Sequence, residues 1–163
     1  MLPPFLHPVL QYFWLAMLVF VVGLAAVWRF RARRRIAADP SLRQPLNRLY
    51  GGFAFWLALP CLVMGAGILS GAVGHTLAYL RFDAGNPFIV GFWLLAAAED
   101  ALFIWWVFFR GGADRIALHA ELPQHRPQAR LIARGLAVAV PLSHATALYQ
   151  ATFSPQLGQL FGA

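Results

Sequence analysis

The chain has 163 residues, 60% of them hydrophobic and only 12% charged. A soluble domain carries about 25% charged residues, so this composition excludes an ordinary soluble enzyme and points to a membrane protein the size of one helical bundle. The net charge of +7 comes entirely from arginine, and the arginines are grouped as topology signals rather than as a nucleic-acid surface, so no nucleic-acid partner is expected.

The first predicted span covers residues 8–28. The segment before and within it lacks a basic leader, and its positive charge follows at "RFRARRR". A cleaved signal peptide has the opposite order, so this reads as a retained first helix. The connection at 29–49 carries Arg29, Arg31, Arg33, Arg34, Arg35, Arg43 and Arg48 against Asp39 alone. Within it, "DPSLRQPLNRL" predicts a short interfacial helix capped by Asp39, with Pro40 at its first position.

The second span covers 50–70 and contains Pro60 and the single cysteine, Cys61, expected as a small buried hydrophobe. Gly67, Gly71 and Gly74 are expected to line one helix face, "GILSG" fitting the small-xxx-small packing pattern. The next connection, "GHTLAYLRFDAGN", holds only Arg81 and Asp83. The third span covers 87–109. The connection at 110–131 and its borders carry Arg110, Arg115, Arg126, Arg130 and Arg134 against Asp114 and Glu121. A second interfacial helix is predicted there, capped by Asp114 and closed by Pro123, with His119 and His125 solvated. The fourth span, 132–153, is the least apolar, holding Pro141, Ser143, His144, Thr146 and Gln150. Pro60 and Pro141 are expected to kink their helices and free carbonyls. Trp28, Trp105 and Trp106 read as interface anchors and Trp14, Trp56 and Trp93 as packing residues.

The expected fold is therefore all-α, a single domain of four transmembrane helices. The positive-inside rule puts the arginine-rich connections in the cytoplasm and both termini outside, in a bacterial inner membrane, with anionic lipid headgroups against the arginines. An internal repeat is also expected. "HPVLQYFWL" from His7 and "NPFIVGFWL" from Asn86 share a pattern 79 residues apart, and Pro60 and Pro141 sit alike in the second and fourth spans. A duplicated two-helix unit would place Phe20 and Val21 where the second copy has Glu99 and Asp100.

Those two acids are the chief chemical feature. "LLAAAEDALFIWW" places Glu99 and Asp100 midway along the third span, where a carboxylate costs about 2.5–3.5 kcal/mol. Adjacent helix positions diverge by about 100°, so the two can address different neighbours, and the flanking alanines admit close helix approach. His144, at matching depth on the antiparallel fourth span, is the expected partner, with Ser143, Thr146 and Gln150 forming a polar stripe beside it. Such a cluster serves as interhelical glue, or as a proton or cation site. His7 and His75, near the same outer boundary, are a candidate pair for haem b or a metal.

No GxSxG, HExxH, Walker, CxxCH or dinucleotide fingerprint occurs in the sequence. The leading expectation is a non-enzymatic subunit or homo-oligomer of a larger membrane complex, held by the buried acid–histidine cluster. The alternatives are a small proton- or cation-coupled transporter or channel using Glu99, Asp100 and His144, and a haem- or quinone-associated subunit using His7 and His75.

Overall fold

The computed structural model describes residues 6–120 and 122–153, with the side chains of Leu6 and His7 outside that description. The described residues form α1 (Leu6–Ala38), α2 (Arg43–Leu69), α3 (Pro87–Phe109), the short α4 (Gly112–Ala117) and α5 (Arg126–Phe153). Short 3-10 turns lie at Pro40–Leu42, Thr76–Leu80 and Pro123–His125. Four of the helices are long and apolar enough to cross a membrane, and the protein is a multi-pass, all-α membrane protein.

The helices outrun the predicted spans on the arginine-rich side. Between Trp28 and Pro40 the sequence offers no glycine or proline, and arginine is a good helix former, so α1 continues to Ala38. The first connection shrinks from 29–49 to a tight turn. Asp39 caps it as expected, its carboxylate accepting from the Ser41 backbone N–H at 3.1 Å and from the Ser41 hydroxyl at 2.6 Å. No separate interfacial helix follows, because α2 starts at Arg43. α5 likewise begins at Arg126 rather than 132. Neither Pro60 nor Pro141 ends its helix.

α2 stops at Leu69, which corrects the expectation for two glycines. Gly71 adopts φ +76°, a left-handed conformation that stops the helix and that only glycine takes without strain. Its N–H reaches the Ile68 carbonyl at 3.1 Å, and the Val73 N–H reaches that of Gly67 at 3.0 Å. Gly71 and Gly74 are thus exposed terminator and loop residues. Only Gly67 packs, together with Gly65. A Cβ at Gly65 would stand 2.7 Å from the Trp14 ring, and one at Gly67 would collide with the Tyr79 hydroxyl. At the other predicted cap the helix starts from Gly111, and Asp114 falls inside the first turn of α4.

α1 packs on α2, α2 on α3, and α3 on α5, while α1 and α5 barely touch along their length. Among the described residues the four-helix bundle is therefore open on one side, between its first and last helices. At one end the Thr76–Leu80 turn lies against both of them. Tyr79 plugs that end, donating to the Val63 and Met64 carbonyls at 3.2 Å each, and burial pushes its phenol above the usual tyrosine range.

α1 uses one narrow seam. Its least exposed positions include Trp14, Leu18, Val21, Ala25, Trp28, Ala32 and Arg35, the alternating three- and four-residue spacing of a coiled-coil contact. They meet Cys61, Met64 and Gly65 toward one end of α2 and Leu46, Leu49 and Tyr50 toward the other. The α3–α5 seam is built differently, from Ala133 and Ala137 of α5 against Phe103 and Val107 of α3. The two helix pairs share sequence echoes without sharing a packing mode. Cys61, Met64 and Ile68, buried on α2, match by the proline alignment Leu142, Ala145 and Tyr149, all exposed on α5.

Candidate functional site

The polar group lies where α3 meets α5. His144 Nδ1 stands 2.9 and 3.1 Å from the two Asp100 carboxylate oxygens. An imidazole N–H donating to an ionised carboxylate is a charge-assisted bond. It joins the middle of α3 to the second half of α5. The partners differ in surroundings: the Asp100 side chain is 15% exposed and the His144 side chain 46%.

Glu99 turns elsewhere, as a helical neighbour of Asp100 must. It lies within electrostatic reach of Asp100 and His144 and also of Cys61 on α2. Its Oε1 is buried and, among the described residues, has no hydrogen-bond partner. The two acids thus face different neighbours, Asp100 toward α5 and Glu99 toward the α2 side. The nearness of Cys61 to Glu99 was not foreseen from sequence, because nothing in the local pattern shows which face of α2 turns to α3. Among the described residues no three His, Cys, Asp or Glu side chains gather as a metal site requires.

The expected polar stripe does not join this group. With about 100° per residue, Ser143, Thr146 and Gln150 lie about 100–160° around α5 from His144. All three are exposed. The Ser143 hydroxyl donates back to the Val140 carbonyl at 2.7 Å and that of Thr146 to the Leu142 carbonyl at 2.8 Å. Such back-bonding satisfies a hydroxyl within its own helix.

The second expected pair is not assembled by anything described. His75 is half-buried just ahead of the Thr76–Leu80 turn, whereas the His7 side chain lies outside the described residues.

The arginine-rich end holds contacts that the sequence reading missed. His119, expected in solvent, has its Nδ1 3.1 Å from the Tyr50 hydroxyl. Its ring centroid lies 5.2 Å from that of Trp28. Arg35 clasps the same loop, donating to the carbonyls of Leu118 at 2.8 Å, His119 at 3.2 Å and Ala120 at 3.3 Å. These carbonyls follow α4, where a helix leaves acceptors without partners. The available sequence signal was that Trp28 and Tyr50 share a boundary depth with this loop. Trp105 behaves as an anchor with Arg110 over its ring at 5.2 Å, while Trp56 is exposed rather than packed.

No family model, curated protein or solved structure matches this chain.

Proposed function

We propose that the protein is a non-catalytic subunit of a membrane assembly, set in a bacterial inner membrane with its arginine-rich end in the cytoplasm and both termini outside. The observation carrying this reading is the exposure of His144. Its Nδ1 is committed to Asp100, yet 46% of the side chain is uncovered on a helix apolar enough to cross a membrane. Hydrocarbon offers an imidazole no hydrogen-bond partner. A protein surface laid over this part of α5 does.

Gentle detergent extraction followed by native mass measurement tests this. The expected result is a complex heavier than one chain that resists dilution. A monodisperse single chain, with no second component, rules the reading out. For the orientation, Arg34→Cys should be labelled by an impermeant thiol reagent only after the membrane is opened.

A second reading rests on Glu99, whose buried Oε1 has no partner within the described residues beside a coupled acid–histidine pair. That arrangement suits a carboxyl that takes up and releases a proton. It predicts proton flux in liposomes that Glu99→Gln or Asp100→Asn abolishes; flux surviving both changes eliminates it.

A further inference from the structure

The hairpin between α1 and α2 carries seven arginines and one acid, and the structure divides these arginines into two groups. Arg29 and Arg35 are engaged within the chain, the first reaching the Asn47 carbonyl at 3.5 Å and the second clasping the loop after α4. Arg31, Arg33, Arg34, Arg43 and Arg48 are exposed, and among the described residues their side chains form no hydrogen bond or ion pair. Among the described residues the one acid of the hairpin, Asp39, forms no ion pair with them; its carboxylate accepts from Ser41. The other arginine-rich segment differs, since Arg130 there is paired with Asp114 at 2.6 Å.

Four of these arginines stem from one level of the hairpin. Ala32 packs in one cluster with Leu46 and Leu49, which sets the Arg31, Arg33 and Arg34 positions of α1 level with Arg48 of α2. That level adjoins a belt of aromatic side chains. Trp28 lies one turn away, and Phe30 is exposed with the Arg33 guanidinium over its ring at 5.4 Å. A tryptophan where a helix's apolar stretch gives way at once to arginines marks the depth where hydrocarbon meets headgroups. A guanidinium at that depth is placed to grip phosphate oxygens with two parallel N–H bonds.

We propose that this level of the hairpin, ringed by Arg31, Arg34 and Arg48, is a binding site for the headgroup of an anionic phospholipid. The ligand class follows from charge and depth together. A zwitterionic headgroup brings its own cation and leaves the arginines uncompensated, whereas an anionic one supplies a net charge to each. A nucleic acid would meet the same charges but not the apolar belt beside them. The site is independent of the assembly proposed above, since it uses none of the residues around His144.

The full-length chain in mild detergent is titrated separately with phosphatidylglycerol, phosphatidylcholine, inorganic phosphate and a short oligonucleotide, with bound species read by native mass spectrometry. Phosphatidylglycerol adducts should persist at activation energies that strip phosphatidylcholine, with at least a tenfold difference in occupancy. Arg31→Gln/Arg34→Gln/Arg48→Gln should reduce that difference to less than twofold, and Arg81→Gln, at the opposite end of the bundle, should leave it unchanged. Far-ultraviolet circular dichroism checks that the triple variant folds, and the single change Arg34→Gln gives a partial loss if it does not. Equal retention of the two lipids, full retention by the folded variants, or preferential binding of inorganic phosphate or oligonucleotide overturns the proposal.

Discussion

The α1–α2 and α3–α5 seams solve the same problem by opposite means. Within hydrocarbon, lipid is as apolar as leucine, so helices associate through close packing and polar bonds rather than through exclusion of water. The first pair relies on volume. A Trp14 ring fills the space over Gly65, and Ala32, Leu46 and Tyr50 interlock farther along. The second pair relies on proximity and one bond, alanines drawing α5 against α3 and the Asp100–His144 pair tying them together. The difference teaches where polarity is needed. Among the described residues the seam with large interlocking side chains contains no acid–base pair, and the seam made of alanine does.

The largest expected effect breaks the polar seam. His144→Leu leaves the Asp100 carboxylate, only 15% exposed, without its partner. Leaving a nearly buried carboxylate without its hydrogen-bond partner costs up to about 3 kcal/mol, whereas replacing both members with apolar residues is close to neutral. Reversible unfolding in mixed detergent should therefore show a large loss for His144→Leu and near-complete recovery for Asp100→Leu/His144→Leu. If the double variant loses as much as the single changes added together, the pair does not hold this seam. A smaller effect breaks the volume seam. Gly65→Leu forces side-chain atoms into the Trp14 ring, and overpacking of this kind costs about 2 kcal/mol. The loss should appear as detachment of α1, with faster amide exchange along it and unchanged exchange in α3 and α5.

This contrast also shows what the sequence disclosed. Hydrophobic length and arginine placement located four helices, because a bilayer imposes both signals on every segment that crosses it. The partnership of Asp100 with His144 was legible because depth along two antiparallel helices is countable residue by residue. Rotation about the helix axis was less so. Ser143, Thr146 and Gln150 were assigned to the acids by spacing along the chain, but they lie on another side of α5, where the hydroxyls of the two shorter residues bond to their own helix. Gly71 was read as a packing residue because the GILSG pattern does not reveal that α2 ends inside it. His119 was read as solvated because its partners, Trp28 and Tyr50, come from sequence positions far away.

A third change sharpens the comparison at the α2–α3 junction. Tyr79→Phe removes the hydroxyl that bonds the Val63 and Met64 carbonyls while keeping the ring, and should cost about 1 kcal/mol. It also carries a pH signature. Because burial raises the Tyr79 phenol above its usual range, the neutral form is the one that folds. Its contribution is complete below the ordinary tyrosine range and is lost as pH rises through the raised value. The parent protein should therefore show an alkaline loss of stability that Tyr79→Phe lacks, measured by melting across that range in detergent.

The smallest expected effect separates the membrane-embedded pair from a similar pair in water. Arg130 and Asp114 approach to 2.6 Å, closer than Asp100 and His144, yet their side chains are 48% and 65% exposed. Distance alone would rank this ion pair the stronger. Solvent reverses the ranking, since exposed pairs are worth about 0.2–1 kcal/mol and are screened by salt. Asp114→Asn should lower stability by no more than about 0.5 kcal/mol, and the difference should shrink in 1 M salt, where the Debye length is about 3 Å. The loss from His144→Leu should persist at the same salt concentration, because ions do not enter the seam. Equal salt sensitivity of the two variants would place the Asp100–His144 pair in water, and the polar seam would then lose its reason to exist.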